Sequence, residues 1–446
     1  MRIVHGMAAG MELMDRRPGY TEPQLSPAAL KRNREIFGEP LSASDAVRRI
    51  VASVRELGDD AVREFARIFD DAAIESLEVP RERLMEAADS LPSDLRDALE
   101  TAASRIMAYH AASMPQPWSD AGAGYGVRIV PIERVGLYVP GGTAQYPSTV
   151  LMSAIPAKTA GVPEVILCTP TPSPVTLAAA HIAGVDRLFQ IGGAQAIAAM
   201  AFGTGSVPRV DKICGPGNMF VSIAKREVYG QVDIDGLYGP TETIVIADDS
   251  ADPELAAADL LAQAEHDELA SPMLITTGLD VAERVASEVE RQIATLSRGP
   301  IARAAVDAQG AVIVVDTVAE AIELANAYAP EHLCLLVRDA ASFTGLVRNA
   351  GGIFVGEHSP EVIGDYVAGP SHVMPTGGTA RFTSSLGVQA FLRHIPVIAL
   401  DGETLNQVGP AAAAIARAEG LTGHAHAIEL RLEGLGVDKD SFREAP

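Results

Sequence analysis

The 446-residue sequence predicts an α/β protein with parallel sheets. From Arg128 onward, short apolar runs bounded by glycine and proline alternate with alanine-rich helical stretches. That is the pattern of strands joined by crossover helices. A chain of 446 residues allows more than one hydrophobic core, and the apolar fraction of 48% excludes a disordered chain. There are too many strand–helix units for one small sheet, so two α/β domains are expected.

Taken in order, residues 1–38 read as an irregular arm, because Pro18, Pro23 and Pro27 interrupt any long periodicity. Ser42 and Ser44 then offer a helix cap, and Val47, Ile50, Val51 and Val54 recur at helical spacing. Two further helical stretches cover 61–69 and 94–111. Strands are expected at 135–139, 164–168, 187–191, 243–247, 273–276, 311–315 and 333–337. Helices fall between them at 150–160, 194–201 and 253–265. A last alanine-rich helix, 410–419, leads into a histidine-bearing segment, 420–427.

Charge and composition narrow the function. Thirty-five basic against 58 acidic side chains give a formal charge of -23, a field that repels phosphate backbones. Aromatic residues are only 5%, too few for base-stacking platforms, so no nucleic-acid partner is expected. No apolar run approaches the ~20 residues that span a bilayer, and no signal-peptide core is present. No membrane partner is expected and a cytoplasmic location is the default. Cys168, Cys214 and Cys334 form no C-x-x-C pair, which fits a reducing compartment.

Three segments run from a strand into glycine: Val139-Pro-Gly-Gly142, Ile191-Gly-Gly-Ala-Gln195 and Cys214-Gly-Pro-Gly-Asn218. Glycine permits close backbone approach, and a following helix N-terminus favours phosphate. The G-x-G-x-x-G fingerprint is absent, and any one of these is a tight βα turn. Three in one domain point towards a nucleotide cleft.

Gln263 and His266 end a helix three residues apart, so they share a face and can chelate one ion. Spacing alone equally describes an exposed polar helix end. Asp365 lies in a glycine-bounded loop, 364–369, and His424 and His426 lie near the C-terminus. Glu331 and His332 fall between a helix and a buried strand. Histidine suits base work near neutral pH and glutamate can activate water, although a helix cap and a partly buried histidine fit as well. His372 either binds substrate or fills a loop. His5, His110, His181, His358 and His394 have no neighbouring constellation. Cys214 precedes a glycine turn, but nothing nearby lowers its pKa, and a structural cysteine is expected.

Together these strings resemble the histidinol dehydrogenase family. They are 135–142, 191–197, 211–218, 263–266, 329–333, 365–366, 372–376 and 419–424, in the family's order across about residues 45–430. The resemblance implies two Rossmann-like parallel-sheet domains with a small N-terminal arm (1–38) and a C-terminal helical tail. A main α/β domain (39–137 with 243–386) would carry the metal and acid–base residues, 138–242 would be an inserted nucleotide-binding domain, and 387–446 a dimerisation tail.

The resemblance also implies an NAD-dependent enzyme with one Zn(2+) per subunit. It would oxidise L-histidinol to L-histidine through L-histidinal, the last step of histidine biosynthesis. Gln263, His266, Asp365 and His424 would bind zinc, His332 would be the general base, and Glu331 would activate water. Tyr138, Gln195 and Asn218 match cofactor-contacting positions. Thr241, His372 and Glu419 match substrate-contacting ones, together with His332 and the zinc ligands. The family's homodimers share active sites, so His424 would act across the interface.

Thr241 stands where the family usually has serine, and Ser371 where asparagine usually precedes the histidine. Segment 169–175 is shorter than usual and 26–42 longer. The first two departures bear on substrate rather than chemistry. The alternatives are therefore a relative oxidising another small polar alcohol such as a sulfonated diol, a zinc hydrolase based on Glu331, and a non-catalytic binding protein.

Overall fold

Residues 1–16, 25–70, 74–141 and 145–435 are described by the computed structural model. Two units are formed, one from Met1–Met114 with Ile132–Phe391 and the other from Pro115–Pro131 with Leu392–Pro446. Pro18, Pro23, Gly142 and the end of the C-terminal tail lie outside the described residues.

The first unit opens with β1 (Arg2–His5), α1 (Gly6–Met14) and α2 (Pro27–Phe37), which corrects the expectation of an irregular arm over 1–38. Pro27 starts a helix rather than breaking one. It occupies the first turn, where no N–H is needed, and Ser26 caps that turn by accepting from Ala29 N. β1 is only four residues long and exists because it pairs with a strand some 310 residues away, Arg2 opposite Ala311.

Next come α3 (Ala43–Leu57), α4 (Asp59–Asp70), β2 (Glu78–Val79), α5 (Arg81–Ser90) and α6 (Ser93–Ala112). Ser42 caps α3 as expected, and its stripe Val47, Ile50, Val51 and Val54 is buried. After β3 (Trp118–Asp120) and β4 (Tyr125–Pro131) of the second unit, a parallel array follows. It comprises β5 (Arg134–Tyr138), α7 (Pro147–Thr159), β6 (Glu164–Cys168), α8 (Pro174–Ile182) and β7 (Arg187–Phe189). α9 (Gly193–Phe202), β8 (Lys212–Cys214), α10 (Met219–Val228) and β9 (Asp233–Ile234) complete it. The sheet order is β2-β7-β6-β5-β8-β9, with only β2 antiparallel.

α3 and α4 share the hydrophobic core of this sheet. Part of 39–137, read above as belonging to the metal-bearing domain, therefore packs on the glycine-turn sheet instead.

The second array runs β10 (Glu242–Ala247), α11 (Pro253–Ala264), β11 (Ser271–Thr276), α12 (Leu279–Ile293) and α13 (Gly299–Ala308). It continues with β12 (Ala311–Val314), α14 (Val318–Tyr328), β13 (His332–Leu336), α15 (Ala340–Phe343), β14 (Gly352–Val355) and α16 (Glu361–Tyr366). Its sheet, β1-β12-β11-β10-β13-β14, is parallel throughout. In each sheet the chain builds to one side and then returns past its first strand. This leaves switch points between β5 and β8 and between β10 and β13.

In the second unit, β15 (Leu392–Ile398) pairs antiparallel with β4, and β4 with β3. α17 (Gly402–Ala418) and α18 (Thr422–Gly434) follow, with Gly409 giving room to Leu432. α17 starts at Gly402 rather than 410, capped by Asp401, and carries Pro410 inside it. A proline reads in sequence as a first-turn residue, which explains the late start expected there. Among the described residues, no helix is long and apolar enough to cross a membrane.

His110 is buried on α6, and neither ring nitrogen has a hydrogen-bond partner. Burial pushes its pKa down to about 4. A depressed histidine contributes stability above its unfolded pKa near 6.5, and this is lost as pH falls towards the folded value. On the order of 3 kcal/mol should disappear between pH 7 and 4 on this account. His110→Leu should therefore move the acid-unfolding midpoint, followed by circular dichroism, to lower pH. An unmoved midpoint would show that the ring does not resist protonation.

Candidate active site

Two adjacent interior strands of the second sheet, β10 and β13, carry buried titratable residues at or beside their amino ends. β10 reads Glu-Thr-Ile-Val-Ile-Ala and β13 reads His-Leu-Cys-Leu-Leu, both buried along their length. Their parallel register sets Thr243 opposite His332, so Glu242 stands beside Glu331 and His332. His332 Nδ1 lies 3.2 Å from the Glu242 carbonyl oxygen. A carbonyl only accepts, so Nδ1 carries the proton and Nε2 keeps its lone pair. Nε2 is buried with no partner. Burial pushes the imidazole pKa down to about 4, so the ring is neutral, and it stacks on Phe354.

Glu331 accepts at Oε2 from Glu242 N (3.2 Å), and Thr241 Oγ1 lies 2.7 Å from the same oxygen. Thr241 Oγ1 is also 2.8 Å from Gln263 Oε1. One hydroxyl proton cannot serve both acceptors, so either a protonated Glu331 donates to Thr241, or the Gln263 amide is turned to donate from Nε2 and Thr241 donates to the Glu331 carboxylate. Burial pushes the Glu331 carboxyl well above the usual range, and the charge of Glu242 adds to this while Thr241 opposes it. Neighbouring groups with pKa values pushed apart are the arrangement acid–base chemistry requires.

Gln263 ends α11 and Asp365 ends α16. Asp365 thus lies on a short helix, not in the loop expected from its flanking glycines. Burial pushes its carboxyl up to about 7, with the Gln263 amide opposing. Gln263 Nε2 is nonetheless buried without a well-formed hydrogen bond. His372 Nδ1 donates to the Asp365 carbonyl (3.0 Å), so its Nε2 accepts from Thr149 Oγ1 (3.1 Å) on α7. His266, just past α11, is exposed, and its charge acts on both His332 and His372. Ser371 is buried and donates to Met152 O (2.9 Å), so its hydroxyl is taken up by backbone. Among the described residues, no three His, Cys, Asp or Glu side chains form a ready metal cage. Glu419 and His424 are exposed residues of the second unit, with His424 in the first turn of α18.

The glycine turns lie at the carboxyl ends of the first sheet. Tyr138, at the end of β5, accepts from Gly193 N through its hydroxyl (3.1 Å), and Gly193 has a φ of 63°. Gln195 is fully buried with neither amide atom partnered. Asn218 caps α10 by accepting from Phe220 N and Val221 N. A side chain on Gly215 would fall 2.0 Å from the Tyr138 carbonyl oxygen, so only glycine fits. Gly215 is gripped on both sides. Its N–H donates to Asp235 (2.6 Å), and its carbonyl accepts from Lys225 Nζ (3.1 Å), which is ion-paired to the same aspartate. Burial raises the Cys214 thiol well above its ordinary value, which removes it as a nucleophile.

These turns adjoin the acid–base pair. Thr149 and Met152, in the first turns of α7, bond the 371–372 segment. Gly239 N donates to Thr376 Oγ1 at 2.7 Å. Tyr238 lies over Lys225, and the charge of Glu331 reaches it. The carboxyl edge of one sheet therefore meets the amino edge of the other.

The sequence model of the histidinol dehydrogenase family matches residues 36–432. The chain belongs to the histidinol dehydrogenase family. A relative named histidinol dehydrogenase from Dehalococcoides mccartyi (strain CBDB1) is 49% identical over 442 residues, covering 97% of this chain and 100% of its own. One of the same name from Thermus thermophilus is 52% identical over 393 residues, 87% of this chain and 95% of its own. The crystal structure of histidinol dehydrogenase from Elizabethkingia anophelis superposes with a TM-score of 0.89 at 33% identity, over 98% of this chain and 99% of that one.

Within this histidinol dehydrogenase family fold, sequence reasoning missed Glu242, Arg16, Thr149 and Tyr238. Only Glu242 left a signal, as an acid opening an otherwise apolar buried strand. The Lys225–Asp235 pair beneath the glycine turn supplies a stability test. Lys225→Met leaves Asp235 buried without a counter-charge and should cost about 3–5 kcal/mol in urea unfolding. The double variant K225M/D235N should recover part of that loss; an equal loss would show that the pairing is not what matters.

Proposed function

We propose that this chain oxidises L-histidinol to L-histidine through L-histidinal, with NAD as hydride acceptor, the last step of histidine biosynthesis. The observation that carries the reading is the unprotonated, unpartnered Nε2 of His332, buried beside Glu331. His332 accepts the substrate hydroxyl proton at Nε2 as the carbinol hydride leaves to the nicotinamide. Glu331, with Thr241 and the Glu242 N–H placed to stabilise its carboxylate, takes a proton from the water that adds to the aldehyde. His332 releases its first proton to solvent and then accepts a hydroxyl proton of the hydrate as the second hydride departs to a second NAD. A substrate held in place needs no thiol to retain the aldehyde, in keeping with the inert Cys214.

The residues fit a zinc ion. Gln263 and Asp365 offer two oxygen donors at adjoining helix ends and His266 a nitrogen, a set suited to zinc. Turning the Gln263 amide by half a turn would let Nε2 donate to Thr241 and leave Oε1 facing Asp365, an arrangement of oxygens that a cation stabilises. Zinc supplies Lewis acidity and fixes the alcohol's orientation. His424 is the fourth ligand on this reading, and Glu419 and His372 contact substrate. Tyr138, Gln195 and Asn218 hold the dinucleotide, for which the two orphaned amide atoms of Gln195 and the gripped Gly215 argue.

The partner is a second copy of the chain. The second unit exposes Trp118, Tyr125 and Ile398 on its sheet and Ile415 and Leu430 on its helices, apolar side chains of the kind a subunit contact covers.

Zinc-loaded protein with L-histidinol should yield two NADH per substrate, read by absorbance. His332→Asn should lower turnover by orders of magnitude while metal content is unchanged; near-normal turnover would remove His332 as the base. Co-folding the inactive variants H332N and H424A should restore activity through mixed dimers. No restoration would place His424 in its own subunit's site.

A further inference from the structure

Both acid–base residues hang on one residue of β10. Glu242 gives its N–H to Glu331 Oε2 and its carbonyl to His332 Nδ1, each at 3.2 Å. A shift of Glu242 therefore moves both groups at once. Its own side chain is buried and lies among acids, since the charges of Glu242 and Glu331 act on each other. A carboxylate there needs a cation. That cation, Arg16, comes from just after α1, 226 residues away.

Arg16 grips Glu242 with both terminal nitrogens, Nη2 donating to Oε2 at 2.8 Å and Nη1 to Oε1. Gly377 N also donates to Oε1 at 3.0 Å. The guanidinium plane lies 3.4 Å over the Tyr328 ring, and Nε donates to the Tyr328 carbonyl at 3.1 Å. Tyr328 ends α14, and Ala329 follows with a φ of 57°, a left-handed conformation that a non-glycine residue holds only under outside constraint. Two residues later come Glu331 and His332. One guanidinium thus ties the start of β10 to the turn that enters β13. Lysine could supply the charge but neither the fork nor the stacking plane.

We propose that Arg16 is a positioning residue for the acid–base pair. It fixes Glu242 against the 328–331 turn so that His332 Nε2 points at the substrate hydroxyl. The segment that follows α1 is in this way part of the catalytic apparatus without touching substrate. This rests on the reading of His332 as base, and a misplacement of about 1 Å can cost about 100-fold in rate.

The test compares Arg16→Ala, Arg16→Lys and His332→Asn holoenzymes with wild type, measuring kcat, KM, zinc content and melting temperature. R16A should lose about 100-fold in kcat, with KM for L-histidinol and NAD within about threefold and zinc retained. R16K should lose less, and millimolar guanidinium should restore part of the R16A rate without changing wild type. A folded R16A with wild-type kcat, or an R16A that guanidinium does not rescue, would overturn the proposal. Should R16A not fold, R16K decides: it must show lowered kcat per folded molecule, and a wild-type kcat would overturn the proposal. An H332N enzyme with normal turnover would instead reject the base assignment, whatever R16A does.

Discussion

The pairing of β10 with β13 in the register Thr243 to His332 sets where every acid–base group lies, because each group sits on or beside the first residue of one of these strands. Both strands are buried on both faces, as central strands of parallel sheets are, so their interiors are apolar and carry no chemistry. Polar groups survive only at the strand ends, where backbone N–H and carbonyl groups are not yet used by the ladder. Glu242 uses that freedom, with its N–H turned to Glu331 and its carbonyl to His332. A slip of one residue would exchange the faces of all these side chains and separate base from acid.

Burial then sets their protonation. His332 and Glu331 lie in the same low-dielectric layer, yet burial opposes charge in each and so drives their pKa values in opposite directions. The same logic extends one helical turn deeper. Glu361 lies one turn before Asp365 on α16, and Asp259 one turn before Gln263 on α11. Burial raises both carboxyls, Asp259 to about 6, and Glu361 accepts from Thr243 of β10 and from the Cys334 thiol of β13. The helix bearing Asp365 is thereby fastened to the strands bearing the acid–base pair. Ligand candidates and base are held as one body.

Sequence reading succeeded where one segment's own pattern decides the outcome. The stripe of α3, the apolar runs of β5, β6, β10 and β11, and the glycine turns all announce themselves locally. It failed where a distant partner decides. β1 is a strand only because β12 offers an edge, and Pro27 and Pro410 lie inside helices whose ends are set by Ser26 and Asp401. The antiparallel β3-β4-β15 sheet joins segments some 270 residues apart and carries no alternation strong enough to read. For the site, Glu331, His332, Gln263 and Asp365 stood out as candidates, but only family resemblance gave them roles, since their spacing alone fitted a helix end and a cap equally well. Arg16 and Thr149 were invisible because their roles consist of partners 226 and 223 residues away.

The two edges that meet at the site differ in what they ask of the chain. On the proposed function, a dinucleotide at the carboxyl edge of the first sheet demands close backbone approach, which suits glycine at 193 and 215 and buried supports such as Lys225 and Asp235 beneath them. The proposed proton transfer at the amino edge of the second sheet demands instead titratable side chains held by backbone, as Glu331 and His332 are on the hook of Glu242. Neither edge can do both, since a glycine turn offers no base and an apolar strand start offers no phosphate cradle. The bonds from Thr149 to His372 and from Gly239 to Thr376 keep the edges in register. On the proposed function, hydride acceptor and proton acceptor reach one carbinol from separate sheets, and each sheet meets its own demand without compromising the other.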